Sequence, residues 1–118
     1  FKMKWIFLIG NETFNVETVK KLKHADMVCS YDEDGRYCVD FGDDHIFYEQ
    51  MTNIDEFEGD MPMLPFINPT IIMMTYTSSE RVRKVLSRDN FPKDIYIDND
   101  FGLIVSLTEF INLGMPME

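Results

Sequence analysis

The stretch MVCSYDEDGRYCVDF, residues 27–41, decides the fold because it contains two strand-like segments on either side of an acidic turn. The pair Asp34-Gly35 is a strong hairpin signal, and aromatic and β-branched residues follow it in alternation. We predict strands over 27–31 and 36–41. A third strand over 45–51 should extend this hairpin into a meander, since another turn-forming run separates it from the second strand.

The length of the hairpin turn stays open at this stage. A four-residue loop over 32–35 places Cys29 opposite Cys38, whereas a two-residue turn over 34–35 places Tyr31 opposite Cys38. In either register we predict two free thiols that act as small apolar residues near the sheet. The sequence has no Cys-x-x-Cys motif and no histidine at ligand spacing beside these cysteines, so it indicates neither a disulfide scaffold nor a zinc site.

The remaining segments complete a chain in which hairpins dominate. Further strands are expected over 4–9, 70–76, 94–98 and 103–106, and helices near 16–23, 79–88 and 107–113. Asn15 should cap the first helix, Thr77-Ser78-Ser79-Glu80 the second and Ser106-Leu107-Thr108-Glu109 the third. The fold class is therefore α+β, a mostly antiparallel sheet with two or three helices packed on it.

The two halves of the chain share the order strand, helix and hairpin. Residues 16–22 align with 80–86, and residues 26–35 with 94–102. This correspondence suggests a β-α-β-β pseudo-repeat, although common secondary structure alone produces the same order.

A length of 118 residues and a hydrophobic content of 45% predict a single compact domain over 1–118. Phe1 and Lys2 precede Met3, so two readings are open: Met3 is the native start and the first two residues come from a vector, or the chain is trimmed from a longer one. No apolar run is long enough for a membrane span or a signal-peptide core, and we expect a cytoplasmic protein.

The net charge of the chain indicates which classes of partner it can bind. Lys and Arg total 11 against 21 Asp and Glu, which gives a formal net charge of −10. Phosphate backbones and anionic lipid would be repelled, so we expect no nucleic acid and no membrane among the partners. A field of this sign would accelerate encounter with a basic protein, although high acidity is also a common solubility feature.

The sequence contains no recognisable catalytic motif, and no motif in it indicates a cofactor. Glycine-rich phosphate motifs are absent. The acidic turns at 32–35 and 98–102 lack the ligand spacing of a calcium loop. His24 is expected at the end of the first helix, where a protonated imidazole suits the helix dipole, and His45 opens a strand. No catalytic residue and no metal site is predicted.

The long segment over 52–69 is expected to be a surface loop, with one helical turn near 54–57. Aromatic residues, methionines and acids are mixed in it, and this mixture is typical of protein-binding surfaces. The alternative is that the loop covers one face of the sheet. The predicted partner-binding residues are Phe57, Glu58, Asp60, Met61, Met63 and Phe66, together with Asp43 and Asp44.

These features favour a non-enzymatic, acidic protein-binding module. An immunity or inhibitor protein that neutralises a basic partner, such as a nuclease toxin, would use its charge for fast encounter and its aromatic residues as anchors. One alternative is a regulatory domain that homodimerises through an exposed sheet edge. A small hydrolase or metal-dependent enzyme with a dispersed site is the other.

Overall fold

A single antiparallel sheet organises the computed structural model, which describes residues 3–52 and 63–117. The strands are β1 Lys4–Gly10, β2 Cys29–Glu33, β3 Arg36–Asp40, β4 His45–Gln50, β5 Thr70–Tyr76, β6 Tyr96–Asp98 and β7 Ile104–Ser106. The helices are α1 Val16–Lys20, α2 Ser79–Ser87 and α3 Leu107–Asn112. The strand order is β2-β3-β4-β5-β1-β6-β7, and every neighbouring pair is antiparallel. The α+β, mostly antiparallel architecture is confirmed.

The β2–β3 hairpin closes through a two-residue turn. Asp34 and Gly35 have φ of 53° and 80°, and positive φ at both central residues defines the type I′ turn that suits the twist of a hairpin. Tyr31 therefore lies opposite Cys38, and Cys29 lies opposite Asp40. The four-residue loop with facing cysteines is wrong.

The two faces of the sheet bury different cores. On one face the helices cover a continuous core, in which Ile6 and Leu8 of β1 are fully buried. On the opposite face Phe7 and Ile9 of the same strand form a smaller cluster with Leu64. Side chains alternate along β1, and burial on both faces explains why its sequence is almost uniformly apolar.

Two helix ends differ from expectation. Helix α1 ends at Lys20 instead of residue 23, because its last turn tightens to hydrogen bonds from Lys21 N–H to the Thr18 carbonyl and from Leu22 N–H to the Val19 carbonyl. Helix α2 is capped by Ser78, whose hydroxyl accepts the N–H of Arg81 at 3.2 Å.

The predicted cap of α2 was one residue early. The Thr77 hydroxyl accepts instead from the N–H of His45 at 3.0 Å, which ties the end of β5 to the start of β4. Asn15 and Ser106 cap α1 and α3 as predicted.

Two sequence-based expectations remain predictions. The helical turn near 54–57 lies outside the described residues. The internal repeat is not confirmed: β1 and β5, which it would equate, are direct neighbours in the sheet and differ in their outer neighbours, β6 for β1 and β4 for β5.

The two thiols should react at very different rates in the folded protein. Cys29 is exposed, whereas Cys38 is 1% exposed and burial raises the pKa of its thiol, which disfavours the reactive thiolate. We expect one fast thiol with a disulfide reagent under native conditions and a second only after unfolding. Fewer than two thiols in the unfolded protein, purified without reductant, would show that the pair is oxidised.

Candidate partner-binding surface

Three aromatic side chains lie in one row across the sheet, on the face opposite the helices. The strand registers place Tyr31 of β2, Cys38 of β3, Phe47 of β4, Thr75 of β5 and Trp5 of β1 side by side. One strand lies between each aromatic residue and the next, so the step is two strand spacings, or roughly 10 Å. We call the sheet surface that carries Tyr31, Phe47 and Trp5 the aromatic face.

Phe47 is held in place from both sides. The guanidinium carbon of Arg36 lies 4.9 Å from the centre of its ring, a cation–π contact. The ring of His45 stacks nearly parallel to it, with centroids 6.1 Å apart. An aromatic side chain fixed in this way loses little conformational entropy when another molecule packs against it.

The outer two aromatics are accessible. Trp5 is 45% exposed and Tyr31 is 43% exposed, unusually high values for large aromatic side chains on a sheet. The indole N–H of Trp5 donates to a carboxylate oxygen of Asp100 at 3.0 Å, which fixes the orientation of the ring. A surface with ordered, exposed aromatic rings has the composition of binding hot spots.

Acidic side chains surround this row. Glu33 and Glu49 flank Arg36 in the neighbouring row of the same face, Asp40 lies across from His45, and Asp100 contacts Trp5. Among the strand residues that the structure describes, Arg36 is the one Lys or Arg on this face. The aromatic face is therefore apolar at its centre and negatively charged at its rim.

The positive charge of the chain lies elsewhere. Eight of the lysines and arginines belong to α1, α2 or the segments that follow them: Lys20, Lys21, Lys23, Arg81, Arg83, Lys84, Arg88 and Lys93. Both helices pack on the other side of the sheet. Three of these cations, Lys20, Arg81 and Arg83, form ion pairs with acidic side chains on that side. The aromatic face carries more acidic than basic strand residues, and this charge favours the approach of a basic molecule.

The residues predicted from the sequence to bind a partner lie in several places. Phe57, Glu58, Asp60 and Met61 lie outside the described residues. Met63 is 72% exposed, whereas Phe66 packs against the smaller core cluster and meets Tyr96 edge-on, with ring centroids 5.8 Å apart. Asp43 and Asp44 occupy the β3–β4 turn. Their roles in binding remain predictions.

The two acids of the β3–β4 turn should differ in their effect on stability. Asp44 accepts two hydrogen bonds from Arg81, at 2.9 and 3.3 Å, and this guanidinium also lies 4.3 Å over the ring of Phe41. Asp43 is exposed. We expect Asp44→Asn to lower the free energy of unfolding by about 1–2 kcal/mol and Asp43→Asn to change it by less than about 0.5 kcal/mol. Equal effects in urea denaturation would mean that the Arg81 pair is not formed in solution.

A buried histidine–tyrosine pair replaces the charged helix-terminal histidine predicted from the sequence. His24 is 4% exposed, and burial lowers its pKa, so that prediction was wrong. Its Nδ1 lies 3.3 Å from the carbonyl of Leu22, which makes Nδ1–H the donor and leaves Nε2 to accept the Tyr48 hydroxyl at 2.7 Å. This pair has a structural role beneath the helices.

The other surface features of the described residues do not point to a ligand. A shallow groove of about 350 Å³ between α2 and residues 25–26 contains Arg81, Lys84 and Arg88, but Asp44 already holds the first of these. The described residues contain no cluster of three or more metal-ligating side chains. None of the helices in that part of the chain is long and apolar enough to cross a membrane.

Comparison with known proteins assigns the chain to no family and no fold. No protein-family model matches the chain, and no curated protein or solved structure matches it either. The aromatic face is therefore the feature from which a function can be inferred.

Proposed function

We propose that this chain is a non-enzymatic binding module whose aromatic face takes up a basic protein partner. The observation that carries this proposal is the row of Tyr31, Phe47 and Trp5, two of them more than 40% exposed, within a rim of carboxylates. Aromatic anchors supply affinity when they are desolvated at the centre of an interface, and complementary charge at the rim accelerates encounter.

An immunity or inhibitor protein that neutralises a basic toxin, such as a nuclease, is the type of module that these features support best. Such a protein must associate quickly, and a net charge of −10 favours a fast encounter with a basic partner. This role includes a cytoplasmic location, where Cys29 and Cys38 would stay reduced.

Capture of the partner with matched variants tests the proposal. We would purify the tagged protein from cells that make it naturally, in its wild-type form and as Trp5→Ala, Tyr31→Ala and Leu113→Ala. Leu113 is 52% exposed at the end of α3, away from the aromatic face, and is the control for loss of an exposed apolar side chain.

We expect the wild type and Leu113→Ala to recover a basic protein in roughly equimolar amount, and each aromatic variant to recover at least about tenfold less. Thermal unfolding of each variant checks that its fold is intact. Equal recovery by all four proteins, an acidic partner, or no partner with the wild type would contradict the proposal.

A further inference from the structure

The β2 strand lies at one end of the sheet and pairs with β3 alone among the described strands. All five of its residues are exposed, whereas the three central residues of β3 are buried. An edge strand presents backbone N–H and C=O groups that have no partner within the sheet, and another extended chain can pair with them. β2 also contributes Tyr31 to the aromatic face.

The type I′ turn determines which backbone groups of β2 point outward. In a hairpin with a two-residue turn, the residues that flank the turn, Glu33 and Arg36, form a hydrogen-bonded pair, and bonded and non-bonded pairs then alternate along the ladder. Ser30 and Asp32 belong to the non-bonded pairs. Their N–H and C=O groups therefore point away from β3, toward the free edge.

We propose that the partner adds an extended, basic segment to the free edge of β2, and this inference rests on the proposed function of the aromatic face. Pairing with Ser30 and Asp32 would continue the sheet by one strand, about 4.8 Å beyond β2. One set of alternate side chains of the added strand would then lie beside Tyr31 and Glu33 and lengthen the aromatic row.

Charge determines what kind of segment fits. The end of β2 and its turn carry Asp32, Glu33 and Asp34, and Lys20 of α1 contacts Asp32 at 2.9 Å on the helical side. Glu33 projects to the aromatic face beside Tyr31. The fitting segment thus places an apolar or aromatic residue next to Tyr31 and a Lys or Arg next to Glu33.

A second copy of the chain is a poorer occupant of this edge. Two chains would each bring a net charge of −10, and this like charge opposes their association. The opposite edge of the sheet, β7, has three residues and continues directly into α3. It offers a shorter template than β2.

Amide exchange with selected peptides tests the strand addition. Random 12-residue peptides would be displayed and selected for binding to the full chain, and hydrogen exchange of the labelled protein would be followed by NMR with and without the tightest peptide. We expect Lys- or Arg-rich peptides, and at least a tenfold gain in protection at Ser30 and Asp32. Tyr31 and Glu33, already bonded to β3, should change little and serve as internal controls.

N-methylation of the selected peptide gives a second reading that leaves the protein unaltered. Methyl groups on alternate peptide nitrogens should each weaken binding at least tenfold, and those on the intervening nitrogens should have little effect. The inference is overturned if no peptide is selected, if protection appears elsewhere, if methylation shows no alternation, or if Ser30 and Asp32 become protected by protein concentration alone, as in a homodimer.

The failure of this inference can be separated from that of the proposed function. If partner capture still depends on Trp5 and Tyr31 while the exchange of Ser30 and Asp32 is unchanged by the captured partner, the aromatic face binds without strand addition. If capture is indifferent to Trp5 and Tyr31, the proposed function itself fails.

Discussion

Replacing Gly10 by alanine is expected to destabilise the fold by about 3 kcal/mol, at the upper end of what overpacking costs. A Cβ atom at this position would lie 2.6 Å from the Cβ of Phe14 and 2.8 Å from two of its ring carbons. Phe14 is 5% exposed and belongs to the main core, so it has little room to move. Chemical denaturation with two independent probes measures the change.

Gly114→Ala is the matched control. A Cβ there meets nothing within 4 Å, but the φ of 84° still strains any residue with a side chain. Its cost should be about 1 kcal/mol, clearly below that of Gly10→Ala. If the two substitutions cost the same, the close packing of Phe14 over the end of β1 does not exist in solution.

Acidification below pH 6.5 should weaken the fold through His24. Burial lowers the pKa of this imidazole in the folded state, so the unfolded chain binds its proton more tightly. The resulting stability is fully present above pH 6.5 and is lost as the pH falls toward the folded pKa, at up to about 1.4 kcal/mol per pH unit. Protonation would also remove the acceptor that the Tyr48 hydroxyl uses.

Denaturation of the wild type and of His24→Gln between pH 5 and 7.5 isolates this contribution. The difference in unfolding free energy between the two proteins should shrink as the pH falls, because the variant has no proton to bind at this position. A difference that stays constant with pH would contradict a neutral, buried His24. Carboxylate titration is common to both proteins and cancels in the comparison.

The local signals of the sequence predicted most of the fold. The strand Thr70–Tyr76 has the predicted bounds, because an uninterrupted run of β-branched and apolar residues is followed at once by the polar residues that begin α2. Asp34-Gly35 marked the hairpin, and Ser106 marked the start of α3. In each case the decisive interactions lie within a few residues of one another.

The aromatic face could not be predicted in the same way. Tyr31, Phe47 and Trp5 come together only once the registers of four strand pairs are known, and the sequence left even the first of these open. The two-residue turn is the register that places Tyr31 opposite Cys38 and so begins the row. The pairing of β1 with β5 is a long-range contact without a local signal.

The burial of His24 also could not be predicted from the sequence. His24 follows three lysines in a polar segment, and its position predicted a solvated helix end. The shortening of α1 instead turns this side chain inward to Tyr48 of β4. The segregation of cations to the helical side likewise depends on which face of the sheet the helices cover, and periodicity alone does not determine this.

The most direct test of the central claim is the kinetics of binding between the captured basic partner and the chain at ionic strengths from about 0.02 to 0.15 M. We predict that the association rate falls at least tenfold over this range while the dissociation rate changes little. Trp5→Ala should raise the dissociation rate and leave association unchanged. An association rate that does not respond to salt, together with a dissociation rate that Trp5→Ala does not alter, would contradict the account.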